Sequence, residues 1–256
     1  MKLNIIIPTG NSTALVIEDN TYTNRKKIND KILEKYSEIE QVGFIKRDKP
    51  ELIMAGGEFC VNATRSAINY YLNNKCGKTK ISIPNLNTNI IGGIDKKNYT
   101  WLYLNTFRGY RTVYCKLLKQ NVIIVAFKGI IHVIVEEKYI YEKTTEQIKE
   151  FSLRILKDLD LLKYKASGVV FIKFSDKKIK ITPIVYVKKI NTLFLETACG
   201  SGSAAVAIYE YVVYNKIKCR IKQPSGMHLY TKLFFKKNHK IQKIKISGKV
   251  HEIKNL

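Results

Sequence analysis

The amino-acid sequence predicts an α+β fold in which two similar lobes face one another. The predicted elements run in the order strands, cysteine-bearing helix, strands, helix, strands, cysteine-bearing helix, strands. No proline-rich or low-complexity linker separates them. The motif Glu-Phe-Cys-Val-Asn-Ala at residues 58–63 parallels Glu-Thr-Ala-Cys-Gly-Ser at residues 196–201. This weak internal repeat indicates two halves of one architecture, each covering a cysteine-bearing helix with strands.

The first half of the chain begins with a β pattern. A first strand ends in a Pro-Thr-Gly-Asn turn at residues 8–11, and a second strand follows through residues 14–17. Residues 24–36 are polar, with apolar side chains at helical spacing. Short strands are predicted at residues 41–45 and 52–55, and a helix begins at Cys60 and continues through Leu72.

The rest of the chain continues this alternation of strands and helices. Residues 79–135 contain short β-like runs separated by Asn, Gly and charged residues. An amphipathic helix is predicted at residues 144–163, then strands at 169–174 and 179–187, a helix at 200–214 and a β-rich tail. We therefore expect an N-terminal lobe of residues 1–117 and a C-terminal lobe of residues 118–256, with a final strand that returns to the N-terminal lobe.

The composition is that of an ordinary globular protein, apart from its charge. The 256 residues are 45% hydrophobic and 26% charged, with a formal net charge of +24. The basic residues are nearly all scattered lysines, whereas arginine is favoured for bidentate contacts with bases and phosphates, so we expect no nucleic-acid partner. No apolar run approaches a membrane span and no signal peptide is expected, which predicts a cytoplasmic protein without membrane contact.

Five cysteines are present, and none forms a Cys-x-x-Cys pair or clusters with the histidines. A disulfide framework and a metal site are therefore not expected, and free thiols in a reducing compartment are the simpler interpretation. Cys76, Cys115 and Cys219 lie in unremarkable turn or strand sequences, and we expect them to be structural or incidental. Cys60 and Cys199 remain as candidates for chemistry.

Cys199 precedes Gly-Ser-Gly at the start of a predicted helix. The free N–H groups and the dipole of a first helical turn favour an anion, so a thiolate and a substrate carboxylate would both be stabilised there. A tight turn around a structural cysteine is the alternative for this motif alone. Cys60 also lies at a predicted helix start, although Phe59 and Val61 make it the weaker motif.

The two cysteines carry more weight together than separately. Stereoinversion needs a thiolate that removes a proton from one face of a carbon and a thiol that supplies a proton to the other face. Two thiols at two helix N-termini, in two similar half-chains, meet that need. Backbone N–H groups near Asn62, Gly200 and Ser201 would bind the substrate carboxylate and stabilise its developing negative charge. His132 is a possible neighbour, although a core histidine is the simpler interpretation.

At these residues the sequence resembles the diaminopimelate epimerase superfamily of racemases that work without pyridoxal phosphate, and within it more closely the histidine racemases of staphylopine synthesis. The resemblance covers nearly the whole chain. It rests on residues 8–11, Glu-Gln-Val-Gly-Phe-Ile at 40–45, Glu-Phe-Cys-Val-Asn-Ala-Thr at 58–64, residues 163–168, Ala-Cys-Gly-Ser-Gly at 198–202 and Gln-Pro-Ser-Gly at 223–226.

The resemblance implies two pseudo-symmetric lobes, each with a central helix wrapped by a curved, mostly antiparallel sheet, and an amino acid clamped between them. It implies no cofactor, with Cys60 and Cys199 as the acid/base pair. Asn11 and Glu40 would orient the substrate or its ammonium group, and Gln41 would support the first lobe. Two departures matter: Ile190 and Asn191 replace the Glu-Arg pair of diaminopimelate epimerases, and Val61 replaces the usual Gly, where its N–H can still donate.

The resulting expectation is a histidine racemase, with a homodimer as the default assembly because dimers are the commonest oligomers. Diaminopimelate epimerase is the first alternative, and it requires a clamp for a distal carboxylate that residues 190–191 do not provide. A racemase of another amino acid, such as a proline racemase-like enzyme, is the second. A phenazine-pathway isomerase would lack the cysteine pair. A basic binding protein without catalysis, built on this fold, is the alternative from another class.

Overall fold

The computed structural model describes residues 2–18, 24–175 and 178–253. This part of the chain contains four helices, α1 (Arg25–Lys35), α2 (Val61–Tyr71), α3 (Thr145–Asp158) and α4 (Gly200–Tyr214). Its strands are β1 (Lys2–Pro8), β2 (Thr13–Glu18), β3 (Gln41–Lys46), β4 (Leu52–Met54), β5 (Gly77–Ile83), β6 (Thr88–Ile94), β7 (Thr100–Leu104), β8 (Phe107–Cys115), β9 (Gln120–Phe127), β10 (Ile130–Glu136), β11 (Ala166–Ser175), β12 (Lys178–Val187), β13 (Thr192–Leu195), β14 (Lys218–Lys222), β15 (His228–Phe235), β16 (Ile241–Gly248) and β17 (Val250–Ile253).

The strands form two sheets. The smaller sheet has the order β17-β1-β2-β3-β4, and the larger one runs from β5 through β6, β7, β16, β15, β14, β12, β11, β10 and β9 to β8, with β13 added beside β12. Most neighbouring strands are antiparallel, and the parallel pairs of named strands are β2–β3, β10–β11 and β12–β14. The fold is therefore α+β with mostly antiparallel sheets, as predicted.

Two matched halves are visible in the order of elements. Helix α1 connects the parallel strands β2 and β3, and helix α3 connects the parallel strands β10 and β11. Antiparallel strands follow in each half, β4 in the first and β12 with β13 in the second, then a cysteine-capped helix and at least three further strands. Helix α2 contacts strands β1 to β7 and also β17, whereas α4 contacts β9 to β11 and β14 to β16. Each central helix is thus covered by the strands of its own half, and α2 additionally by the returning strand β17.

The chain crosses between the halves at its end. Strand β16 pairs with β7, and β17 pairs with β1 from Ile5↔Ile253 to Pro8↔Val250. The proposed lobe boundary after residue 117 falls in the turn between β8 and β9 and stays a prediction. None of the helices in the described ranges combines the length and apolar character needed to span a bilayer.

The predicted helix at residues 144–163 is too long at its C-terminal end. It starts with a Thr144–Gln147 capping box and ends at Asp158, because Asp160 takes a left-handed φ of 55°. The Leu161 N–H then bonds the Leu156 carbonyl at 2.8 Å. Leu159 and Leu161 stay buried in the same core as the helix, so the apolar pattern continues after the helix has ended.

Candidate active site between two cysteine-capped helices

Cys60 and Cys199 are the N-cap residues of α2 and α4. Cys60 Sγ accepts a hydrogen bond from the Ala63 N–H at 3.3 Å, and Cys199 Sγ accepts one from the Gly202 N–H at 3.2 Å. A sulfur in this position replaces the Ser or Asp oxygen of an ordinary cap and lies at the positive end of the helix dipole. The cap hydrogen bond and the helix dipole therefore each act to lower the pKa of the thiol.

The similarity of the two caps extends to the next turn. Thr64 Oγ1 donates to the Cys60 carbonyl at 2.7 Å, and Ser203 Oγ donates to the Cys199 carbonyl at the same distance. Each donor lies four residues after its cysteine. The internal repeat seen in the sequence thus corresponds to one local geometry formed twice, in which the cap residue is fixed through both its sulfur and its carbonyl oxygen.

The two helix N-termini meet. Asn62 Nδ2 donates to the Ala198 carbonyl at 2.7 Å, joining the start of α2 to the residue before Cys199. Gly200 lies against Val61, and a β-carbon at position 200 would be only 2.4 Å from Val61 Cγ1. The side chain of Val61 is 1% exposed, so this close approach is part of the buried contact between the helices.

A single pocket includes both cysteines and most of the candidate site residues. It is lined by Asn29, Leu33, Glu40, Gln41, Val42, Ala55, Glu58, Phe59, Cys60, Val61, Asn62, Ile130, Val185, Val187, Ile190, Thr192, Phe194, Glu196, Cys199, Gly200 and Ser201. Of the residues selected from the sequence, Asn11 is absent from the lining and contacts Glu40 and Gln41 behind it.

The Cys60 thiol is the start of a hydrogen-bonded chain. Cys60 Sγ donates to Gln41 Oε1 at 3.0 Å. Gln41 Nε2 donates to Asn11 Oδ1 and to Thr13 Oγ1. Because a carboxamide oxygen can only accept, this arrangement suits a protonated Cys60.

The chain continues from Asn11 to the other half of the molecule. Asn11 Nδ2 donates to Glu40 Oε2 at 2.7 Å, and the Thr197 N–H donates to the same oxygen at 3.1 Å. Thr197 Oγ1 donates to Glu40 Oε1. Thr197 lies two residues before Cys199, so Glu40 connects the segments that carry the two thiols.

Cys199 has a different set of partners. Ser201 Oγ lies 3.6 Å from Cys199 Sγ and 2.9 Å from His132 Nε2. Burial lowers the pKa of His132 to about 3, so the imidazole is neutral at physiological pH. His132 is a fully buried core residue, as the simpler interpretation held, and it is also linked to the site through Ser201. Gln223 Oε1 accepts from the Cys199 N–H at 2.9 Å.

Two carboxyl groups of the pocket were not selected as site residues from the sequence. Glu58 and Glu196 served there only as landmarks of the repeat. Burial raises the pKa of Glu58 to about 7, while the backbone N–H groups of Glu58 and Gly56 and the charge of Lys189 act against that shift. Burial also raises the pKa of Glu196 to about 8, with Glu40 and Glu58 adding to the shift and a hydrogen bond from Cys199 opposing it. The sequence did contain one indication of their role: Cys60 follows Glu58 by two positions, and Cys199 follows Glu196 by three.

The same carboxyl groups act on the thiols. Burial raises the pKa of Cys60, and the charge of Glu196 raises it further. Burial and Glu196 likewise raise the pKa of Cys199 above its usual value, while Ser201 and the Gly202 N–H act in the opposite direction. Both buried cysteines therefore favour the thiol form.

The lining of the pocket has no Lys or Arg among the described residues. Ile190 lines it, while Asn191 is exposed and accepts a hydrogen bond from the Tyr186 hydroxyl at 3.2 Å. Cys76, Cys115 and Cys219 are free thiols that do not line the pocket. Within the described ranges, no group of three or more His, Cys, Asp or Glu residues is arranged to hold a metal ion.

Comparisons with known proteins identify a family and a fold. A family model described as the histidine racemase CntK N-terminal domain matches residues 1–254. A histidine racemase of Fusobacterium nucleatum subsp. nucleatum is 28% identical over 236 residues, covering 86% of this chain and 85% of that protein. A histidine racemase of Staphylococcus aureus is 23% identical over 241 residues, covering 88% and 85%.

Solved structures show the same fold at low sequence identity. A phenazine biosynthesis protein of the PhzF family from Bacillus anthracis superposes with a TM-score of 0.67 at 11% identity, covering 100% of this chain and 98% of that one. A hydroxyproline epimerase from Agrobacterium vitis, solved with bound trans-4-hydroxy-L-proline, has a TM-score of 0.60 at 9% identity, covering 100% and 91%.

Proposed function

The chain belongs to the histidine racemase family whose model spans residues 1–254, and from that membership we propose that it interconverts L- and D-histidine without a cofactor, using Cys60 and Cys199 as acid and base. The protein is an isomerase of the racemase and epimerase type. The observation that carries the proposal is the pair of cysteine caps, one on each of two helices whose N-termini meet at one pocket.

The chemistry follows from two thiols on opposite sides of one α-carbon. The thiolate of one cysteine removes the α-proton, and the electron pair of the broken C–H bond moves into the substrate carboxylate. The thiol of the other cysteine delivers its proton to the opposite face, which forms the new C–H bond. At the end the two cysteines have exchanged protonation states, so the reverse reaction starts from the product.

The helix starts stabilise the negative charge of the intermediate. We place the substrate carboxylate at the backbone N–H groups of the first turns of α2 and α4, near Val61, Asn62, Gly200 and Ser201. Free N–H groups and helix dipoles aimed at developing charge supply stabilisation that grows toward the transition state. Burial and the charge of Glu196 both favour the protonated thiols, and a cationic group of the substrate would offset the acidic contribution, so substrate binding itself favours thiolate formation.

The polar side chains of the first lobe position the substrate. We assign Asn11 and Glu40 to orienting the substrate or its ammonium group and Gln41 to holding Cys60. Histidine is favoured over diaminopimelate because a distal carboxylate needs a basic partner, and no Lys or Arg among the described residues lines the pocket.

We further propose a cytoplasmic homodimer. The five cysteines are all free, which suits a reducing compartment, and dimers are the commonest oligomers. Size-exclusion chromatography with light scattering tests the assembly: a mass near 59 kDa, twice the 29.5 kDa of one chain, is expected, and 29.5 kDa would contradict it.

The deciding experiment is α-proton exchange. The protein is incubated under reducing conditions in deuterium oxide with L-histidine and, separately, with LL-diaminopimelate, and loss of the α-proton is followed by NMR. We expect deuterium in histidine and loss of racemisation in both Cys60→Ser and Cys199→Ser, with Cys76→Ser as the matched control because it is exposed and outside the pocket. Exchange into diaminopimelate alone would overturn the substrate, and no exchange into any amino acid would overturn the racemase.

A further inference from the structure

We infer that Glu58 and Glu196 form a subsite for a cationic side chain, which in histidine is the imidazolium group. The inference rests on the proposed function, because that function places an amino acid in this pocket. It assigns to two acidic residues the recognition of the substrate side chain, a task separate from the proton transfer of the cysteines and from carboxylate binding at the helix starts.

The first observation is an unpartnered carboxyl oxygen. Glu58 is 9% exposed, and its Oε2 is buried without a hydrogen-bond partner among the described residues. A buried charged oxygen without a partner is costly, so it is retained where a ligand satisfies it. Glu58 lines the pocket, and a cation or N–H donor within the pocket would supply the missing bond.

The second observation is that Glu196 adds a further acidic group to the same pocket. The two carboxyls repel each other enough that Glu58 helps to raise the pKa of Glu196. No Lys or Arg of the described residues lines the pocket to neutralise them, and Lys189 acts on Glu58 from outside it. A cation between the two carboxyls would relieve this repulsion and be bound by both.

Glu40 is the third acidic residue of the pocket, and its carboxylate is already engaged in hydrogen bonds within the protein. Both of its oxygens already accept hydrogen bonds, from Asn11 and from Thr197. The carboxyls with capacity for a new partner are therefore Glu58 and Glu196.

The remaining walls suit a flat ring. Val185, Val187 and Phe194 line the same pocket and offer apolar contact. In such surroundings a charge–charge contact is stronger than in water, since solvent screens it less. A side chain with an apolar flat face and a cationic N–H edge fits both features, whereas a neutral aromatic ring fits only the walls.

The test compares two substrates of similar size. Wild-type protein is assayed for α-proton exchange with L-histidine and with L-β-(2-thienyl)alanine, whose ring is aromatic but cannot carry a proton. We expect kcat/KM to favour histidine by about 30-fold or more, the size expected for a buried charge contact. Equal rates for the two substrates would overturn the inference while leaving the racemase intact. If no α-proton exchange occurred with histidine, with thienylalanine or with any other amino acid, the proposed function itself would have failed.

Variants then locate the discrimination. Glu58→Gln and Glu196→Gln should each narrow the histidine to thienylalanine ratio by about ten-fold or more. Glu196 also contacts Cys199, but an effect through the thiol lowers both rates equally and leaves their ratio unchanged. Glu51→Gln is the matched control: Glu51 is 7% exposed, pairs with Lys49 at 3.2 Å and does not line the pocket, so the ratio should stay at its wild-type value. An unchanged ratio in both glutamine variants would overturn the inference, and the wild-type comparison stands even if a variant fails to fold.

Discussion

Val61 and Gly200 occupy complementary space at the junction of the two central helices. A β-carbon at position 200 would lie 2.4 Å from Val61 Cγ1 and 2.7 Å from Val61 Cβ, closer than real contacts allow. The valine side chain at position 61 can therefore pack here only because position 200 has no side chain. In this chain Val61 fills the space that Gly200 leaves free.

Gly200→Ala should disturb this junction. We expect the free energy of unfolding to fall by about 1–3 kcal/mol, the usual cost of overpacking, with a loss of racemase activity because the thiol-bearing helix starts move apart. Denaturant unfolding and α-proton exchange measure the two effects. Adding Val61→Gly should recover a large part of the loss, and independent effects in the double variant would contradict the packing relationship. Gly77→Ala is the control, because its β-carbon would meet only ordinary contacts at 3.4 Å or more.

The Glu40 connection between the halves gives a second prediction. Glu40→Gln replaces an acceptor oxygen by an N–H₂ group that faces the donors of Asn11 and Thr197. We expect a loss of about 1.5–3 kcal/mol in the free energy of unfolding, as for hydrogen bonds to charged groups, measured by denaturant titration. Thr106→Val is the control: its buried hydroxyl has no partner among the described residues, so its removal should be neutral or slightly stabilising. An equal loss of unfolding free energy in Glu40→Gln and Thr106→Val would refute the role of Glu40 in connecting the two halves.

His132 gives a third prediction. His132→Leu removes the partner of Ser201 at 2.9 Å, and we expect kcat/KM to fall by roughly five-fold, the value of one neutral hydrogen bond. Because burial lowers the pKa of His132 to about 3, the loss should be uniform between pH 6 and 9. A pH–rate limb near 6.5 that disappears in the variant would show instead that this imidazole titrates during catalysis. His228→Leu, which changes a histidine outside the pocket, should leave kcat/KM unchanged.

The carboxyls of the pocket make stability depend on pH. The pKa values of Glu58 and Glu196 are raised to about 7 and about 8, so between pH 4.5 and 8 the folded protein holds more protons than the unfolded chain. Their contribution to stability is therefore present at low pH and is lost as the pH rises through 7 to 8. Between pH 6 and 9 the Tm of the double variant Glu58→Gln/Glu196→Gln should fall less than the Tm of the wild type. Parallel plots of Tm against pH would contradict the raised pKa values.

The local features of this structure were predictable from the sequence. The range predicted for α4 was 200–214, the range found, because a Gly-Ser-Gly helix start and the apolar positions after it are local signals. The α3 prediction ran past Asp158 because Leu159 and Leu161 continue the apolar pattern while a left-handed residue has already ended the helix. The spacing of buried residues can continue beyond the end of a helix, although the backbone there is no longer helical.

The partners of the site residues were not predictable in the same way. The Glu40–Thr197 contact joins residues 157 positions apart, and His132 reaches Ser201 across 69 positions. Such pairings depend on how sheets and helices assemble, which residue types and spacing do not specify. The acidic residues 58 and 196 were visible as parallel landmarks, but their proximity inside one pocket required the tertiary structure.

The return of the last strand to the first has a consequence for synthesis on the ribosome. Strand β1 is synthesised long before strand β17, yet one of its edges is completed only by residues 250–253. Within the larger sheet, strands β5, β6 and β7 are likewise joined to the remaining strands only through β16. The strands made first therefore keep open edges during elongation, and these edges are exposed to mispairing until β16 and β17 have been synthesised. We expect nascent chains stalled before residue 241 to be protease-sensitive and to depend on chaperones, whereas chains stalled after residue 253 has left the exit tunnel should close both sheets and resist protease.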